Sequence, residues 1–315
     1  MPMQSEQLPQ HIFLIRPAHF GANTETASTN AFQAEMDASQ QLTVEETARK
    51  EFDQAIAILE ENQVMHQVFE DTESPTTTDA VFPNNWISTH ANGKVIIYPM
   101  MAPSRRLERR PELIGELENA CGFEVKELVN LAYFEKNEQY CEGTGSLVID
   151  HANGILYAAL SDRTHREVVM QVAEELGYDP LFFTANGPDG KPIYHTNVMM
   201  ALGDSFAIIC MESIQDPAER QLVTNVLKKT KHQIEEISTE QMGHFAGNVF
   251  PVINQVGKKL LLMSQQAHDA LTIEQRVRWS AYGKLVPIPV PTIEKYGGGS
   301  IRCMIAGVHL PKTEA

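Results

Sequence analysis

The strongest constraint on this chain is an order of elements that returns along it: a short apolar strand, a Gly/Asn turn, a second apolar strand, a helix and a third strand. The clearest copy begins at Gly145 to Asp150, turns at His151-Ala-Asn-Gly154 and returns along Ile155 to Leu160. Asn153-Gly154 is a strong hairpin signal, because both residues tolerate positive φ. A helix is predicted over Arg163 to Leu176, with Val168, Val169, Val172, Ala173 and Leu176 on one face. Gly177 stops it, and Pro180 to Phe183 reads as the closing strand.

The same order appears upstream and downstream. Val81 to Ser88 and Lys94 to Tyr98 flank Ala91-Asn92-Gly93, followed by a helix over Pro111 to Ala120 and a strand over Phe123 to Leu128. Asn197 to Leu202 and Phe206 to Cys210 flank Gly203-Asp204, with a helix over Pro217 to Thr230 and a strand over Gln233 to Ile237. A fourth copy runs through Asn248 to Ile253, Lys259 to Met263, a helix near Thr272 to Ser280 and a strand over Lys284 to Pro289. The N-terminal pieces, His11 to Ile15, a helix around Val44 to Glu61 and Val64 to Phe69, lack one inner strand. Ile301 to Val308 can supply it from the other end. Five units at a period of roughly fifty residues suit a radial repeat closed into a ring; the alternative is an open mixed sheet with helices on both faces.

At about 150 residues per domain the length alone would allow two lobes, but the repeat uses residues 1–315 as a single α/β domain, with residues 300–309 closing the ring. The 43% apolar and 21% charged residues fit a large packed core. The balance of 25 Lys+Arg against 41 Asp+Glu, net −16, excludes a nucleic-acid or anionic-membrane surface, which would need clustered cations. The one basic knot, Arg105 to Arg110, is short and mixed. Cys121, Cys141, Cys210 and Cys303 form no CxxC pair, which argues against a zinc site or disulfide framework. His11 to Ile15 is too short for a leader or a membrane span, so a reducing cytoplasm is the expectation. Homo-oligomer formation is left open.

In a ring the ends of the inner strands converge on one cavity, and each such end here carries polar residues: Asp79 to Trp86, Cys141 to Ser146, Tyr194 to Asn197, His244 to Asn248 and Gly297 to Cys303. Gly297, Gly298 and Gly299 permit close approach to a ligand just before Cys303, a thiol that becomes a nucleophile when a neighbour lowers its pKa. Taken singly, Cys303 reads as a small core residue, Glu142 as a loop acid, His195 as a structural histidine and Asn85 as a turn residue. Together, at strand ends of different units, they offer a nucleophile, an acid/base and a group that orients N–H-bearing substrates.

These residues resemble a family. Phe-Pro-Asn-Asn at 82–85, Glu-Gly-Thr-Gly at 142–145, His-Thr-Asn at 195–197 and Gly-Gly-Gly-Ser-Ile-Arg-Cys at 297–303 are similar to the guanidine-modifying (pentein) superfamily of five-bladed α/β propellers. The overall look is that of its citrulline ureidase-like, arginine-deiminase-related branch. The resemblance implies Cys303 as nucleophile, His195 as acid/base and Glu142 as the carboxylate holding His195 and substrate nitrogens. It implies Arg163 as the grip on a substrate α-carboxylate, with Arg105 or Arg106 as a second clamp. Asp79, Phe82, Asn85 and Asn197 are the expected pocket residues. No metal or organic cofactor is implied.

Arginine deiminases carry aspartates where Asn85 and Asn197 stand. A guanidinium presents only donors, whereas an amide offers a donor and an acceptor, so asparagine favours a neutral ureido group with its carbonyl oxygen. The expected reaction is hydrolysis of citrulline to ornithine, carbon dioxide and ammonia through a cysteine-linked intermediate. Arginine dihydrolase, deiminase or amidinotransferase activity, and a non-catalytic propeller-like scaffold, are the alternatives.

Overall fold

Every unit of the repeat contributes one small three-stranded sheet. The computed structural model describes residues 6–313, and the strands in chain order are β1 (His11–Arg16) and β2 (Met65–Glu70), β3 (Ile87–Thr89), β4 (Lys94–Ile97) and β5 (Glu127–Asn130), then β6 (Val148–Asp150), β7 (Ile155–Ala159) and β8 (Asp179–Phe183). Next come β9 (Met200–Leu202), β10 (Phe206–Ile209) and β11 (Gln233–Glu236), β12 (Phe250–Ile253), β13 (Lys259–Ser264) and β14 (Lys284–Ile288), and lastly β15 (Ala306–Val308). In each sheet the middle strand pairs antiparallel with the inner strand and parallel with the outer one. The antiparallel pair needs only a tight turn, and the parallel pair needs a crossover, which the helix supplies. At β6–β7 the Asp150 carboxylate accepts from the Asn153 backbone N–H at 3.0 Å and Gly154 takes φ +66°.

The C-terminal segment does complete the first sheet. β15 pairs antiparallel with β1, setting His11 opposite Val308 and Phe13 opposite Ala306. Apolar clusters then link the sheets in succession. Phe13 and Ile15 pack with Trp86 and Val95, Ile96 with Leu156, Tyr157 with Met200, Ala207 and Met263, and Val252 and Leu262 with Ile12 and Leu14. Helices such as Gln41–Glu61, Arg166–Leu176 and Pro217–Lys229 lie between middle and outer strands in the chain. Each buries one apolar face, for example Val168, Val169, Val172 and Ala173.

The inner strands are shorter than the sequence predicts, and always at their beginnings. Residues expected to start strands turn instead: Pro83–Asn85 forms a 3-10 turn, Gly143–Ser146 and Thr196–Met199 each form one helical turn, and residues 301–304 form a turn before β15. The helix expected from Arg163 begins at Arg166, so Arg163 lies in the turn ahead of it. An extended strand sends alternate side chains to opposite faces. A turn can aim consecutive polar residues at one place, and every departure falls where the chemistry-bearing residues sit.

Candidate active site

Cys303, His195, Asn85, Asp79, Phe82, Arg105 and Arg163 line one small cavity together with Thr26, Asn30 and Tyr194. Its volume is about 20 Å³, room for one or two waters. Glu142 and Asn197 lie directly behind its wall, both buried.

Glu142 is fully buried and organises the polar groups. Its Oε2 sits 2.8 Å from His195 Nε2, 3.5 Å from Arg163 Nη1 and 3.8 Å from Arg105 Nη1, while Oε1 accepts from the Met101 backbone N–H at 3.1 Å. Burial alone would push its carboxyl up, but Arg163, His195 and Arg105 outweigh it and hold the acid well below the usual range. A charged carboxylate only accepts, so His195 carries its proton on Nε2 and leaves Nδ1 bare. Burial lowers His195 to about 4 against the pull of Glu142, so the ring is neutral and a proton acceptor near pH 7. The turn that presents Glu142 demands glycine next: Gly143 has φ +49°, and a Cβ there would lie 2.3 Å from the Asn84 carbonyl oxygen.

The Cys303 thiol is held between two amides. Asn248 Nδ2 lies 3.4 Å and Asn197 Nδ2 3.6 Å from Sγ. Asn248 has its orientation pinned, since its Oδ1 accepts from the Arg302 backbone N–H at 3.1 Å and its Nδ2 also donates to the Asn197 carbonyl at 3.0 Å. The glycine loop before Cys303 runs under the Phe82 ring, where a Cβ on Gly297 would approach Cζ to 2.7 Å.

Asn85 and Asp79 each leave one buried polar atom free. Asn85 Oδ1 accepts from Arg105 Nη1 at 2.9 Å, and its Nδ2 has no partner. Because a guanidinium only donates, Arg105 fixes the amide with its N–H₂ away from the arginine. Asp79 Oδ2 accepts from Asn23 Nδ2 at 2.8 Å, and its Oδ1 has no partner. Burial pushes the Asp79 carboxyl up while Arg105, 3.6 Å away, pulls it down. Arg105 itself is forked onto Glu108 at 3.0 and 2.9 Å, which leaves it little for a substrate carboxylate. Arg106 is bonded to the Met100 and Met101 carbonyls, and is not among the residues lining the cavity.

Arg163 reaches across to the long connection between β1 and the first helix. Its Nη2 donates to Thr29 Oγ1 at 2.6 Å and to the Thr26 carbonyl at 3.2 Å, and its guanidinium lies 5.1 Å from the Tyr194 ring centre. In the same connection Asn30 donates to the Gly297 carbonyl at 3.3 Å, and Asn23 holds Asp79. Residues 17–37 thus roof the cavity. Sequence reading passes over this roof; the available signal is a connection of this length without strand or helix, which in a packed domain is usually functional.

Comparison with known proteins gives the lineage. The family described as "N,N dimethylarginine dimethylhydrolase, eukaryotic" matches residues 16–310. The chain belongs to this family. It is thereby a member of the guanidine-modifying superfamily, whose dimethylarginine branch consists of C–N hydrolases. No curated protein matches the chain.

Among solved structures, the substrate-bound N-terminal domain of a variant of ArgZ, an arginine dihydrolase of the ornithine-ammonia cycle in Cyanobacteria, aligns with TM-score 0.73 at 14% identity, covering 95% of this chain and 97% of that one. Against full-length ArgZ the chain spans 96% of itself but only 41% of the larger protein. A dimethylarginine dimethylaminohydrolase variant, captured as an adduct with S-methyl-L-thiocitrulline, aligns at TM-score 0.62 and 15% identity over 95% of this chain and all of that one. Identities this low speak for the fold alone. Among the described residues no helix is long and apolar enough to cross a membrane.

Proposed function

We propose that the chain is a C–N hydrolase of a ureido amino acid, best represented by citrulline, and that the five sheets form one closed α/β propeller domain around the site. The closure reading is supported by the β1–β15 pairing and by apolar clusters that pass from each sheet to the next and back to the first. The observation that carries the substrate reading is that Asn85 Nδ2, a donor, and Asp79 Oδ1, an acceptor, are both buried without a partner among the described residues, on two side chains that line the same cavity. A ureido group offers a carbonyl oxygen to the first and an N–H₂ to the second. A guanidinium has no acceptor for Asn85, and Arg105 prevents the amide from turning over.

In this reading the Cys303 proton passes to His195 Nδ1, and the thiolate adds to the ureido carbon. Asn85 donates to the oxygen as it gains charge, the kind of preorganised donor worth about 3–4 kcal/mol in acyl transfer. His195 returns the proton to the departing nitrogen, ammonia leaves, and a thiocarbamoyl group remains on Sγ. Water, deprotonated by His195, then cleaves the C–S bond. The carbamate so formed loses carbon dioxide to give ornithine. Glu142 keeps the His195 tautomer and stabilises its protonated form. Arg163 serves the substrate α-carboxylate by exchanging its contacts with Thr26 and Thr29 for it, Phe82 and Asn197 shape the pocket, and the free cysteines fit a reducing cytoplasm.

A second reading, arginine dihydrolase, is favoured by the unpaired Asp79 oxygen, which accepts equally well from a guanidinium, and it passes through the same ureido species. Incubation with citrulline, arginine and N,N-dimethylarginine separately, with ornithine, citrulline, amine and ammonia measured, decides. Ornithine with one ammonia per citrulline and no turnover of arginine is expected. Ornithine with two ammonia per arginine establishes the dihydrolase, and turnover of none of the three overturns both readings.

A further inference from the structure

The inner strands lead away from the catalytic candidates into a second cavity. It is lined by residues of β3, β6, β9, β12 and β15 and has a volume of about 70 Å³, enough for a few waters or one small oxyanion. Arg302 and Cys303 are chain neighbours on opposite sides of this division: Cys303 lines the first cavity and Arg302 the second.

Arg302 stands out electrostatically. In a chain of net charge −16, buried Arg105 and Arg163 each lie within 4 Å of a carboxylate. Among the described residues Arg302 makes no ion pair; its Nη1 donates to the Ile305 carbonyl at 3.3 Å and its guanidinium lies 4.9 Å from the Phe250 ring centre. Beside it the His151 and His309 rings stack at 3.9 Å, and among the described residues buried His151 Nδ1 has no hydrogen-bond partner. Burial, with Arg302 adding to it, pushes His309 down to about 4 and His151 well below its ordinary value. Neutral imidazoles against an uncompensated guanidinium offer N–H donors and positive charge. That combination repels a metal cation and suits an oxyanion.

We propose that this cavity binds a small oxyanion, held by the Arg302 guanidinium and the His151 and His309 rings. Binding would be felt at the nucleophile, because the Arg302 backbone N–H holds Asn248, and Asn248 donates to Cys303 Sγ. The same chemistry could reach the site as inorganic phosphate or as the bicarbonate that ureido hydrolysis generates. Only the second source rests on the function proposed above.

Thermal unfolding of the purified protein at pH 8, titrated with sodium phosphate or sodium bicarbonate against sodium chloride of equal ionic strength, tests the site. Saturable stabilisation by either oxyanion beyond the chloride effect is expected, with affinity at least tenfold weaker in His309→Ala and Arg302→Gln. Saturation by phosphate alone points to an external effector, and saturation by bicarbonate alone to product binding. No saturable effect in the wild type, or unchanged affinity in both variants, overturns the proposal. Should the variants not fold, crystals of the wild type grown in phosphate decide: density between Arg302 and His309 supports the site and its absence refutes it.

Discussion

Single buried atoms carry most of the functional argument. Asn85 and Asp79 matter because each has one atom engaged and one left without a partner, and an unmet buried polar group costs about 1–3 kcal/mol until a ligand satisfies it. Asn248 shows the same economy at the thiol. Replacing it by alanine removes the shorter of the two N–H contacts to Sγ and frees the Arg302 backbone N–H. The expected result is a fall in kcat/KM of about tenfold or more, the scale of one hydrogen bond to a charged group. An unchanged kcat/KM in a variant of lowered stability would assign Asn248 to packing only. Asn248 was visible in the sequence as a polar residue at a strand end, but nothing there ranked it above its neighbours. Its importance comes from pairing with Cys303 across 55 residues.

At the scale of elements, the middle and outer strands and most helices were legible because apolar periodicity and turn residues determine them locally. The starts of the inner strands were not. Gly143–Ser146, Thr196–Met199 and Pro83–Asn85 have sequences compatible with extension, and tertiary contacts of their polar side chains turn them instead. At Gly143 the backbone itself also sets the turn, and this is testable. Gly143→Ala forces a Cβ onto the Asn84 carbonyl at 2.3 Å in a left-handed conformation, with backbone rather than a flexible side chain in the way. A loss of about 2 kcal/mol or more is expected in denaturant unfolding, together with loss of activity, because the turn carries Glu142. A variant of unchanged stability would mean that the turn relaxes freely. The roof formed by residues 17–37 is not legible in the sequence because it has no periodicity; its contacts with Arg163, Asp79 and Gly297 exist only in the folded chain.

For the whole molecule, the repeat made the five-sheet arrangement legible, including the supply of an inner strand by the C-terminus. Removing residues 306–315 strips β15 from β1 and uncovers the edge beside Ile12 and Phe13, both fully buried. Loss of the single cooperative unfolding transition is expected by calorimetry, and a native-like transition would show that the first sheet stands without it.

Acid sensitivity follows from buried histidines. His90 is lowered to about 3, chiefly by burial, and His195 and His309 to about 4. The unfolded chain protonates these groups near pH 6.5 while the folded chain does not. The stability these histidines contribute is therefore present above about pH 6.5 and is lost as pH drops toward 4, while buried Glu108, raised to about 8, and Glu294, raised to about 7, act in the opposite sense over part of that range. The unfolding midpoint of the wild type should fall relative to that of His90→Asn as pH drops from 7 to 5; a difference between the two that stays constant across that range would contradict the burial of a neutral His90 ring.

The most direct test of the central claim is to look for the covalent intermediate. Wild-type protein mixed with citrulline, quenched in acid and mapped by peptide mass spectrometry should carry a thiocarbamoyl group on the Cys303 peptide, and Cys303→Ala should show neither the adduct nor ornithine release. An adduct on Cys141 or Cys210 instead, or ornithine release that persists in Cys303→Ala, would contradict the account.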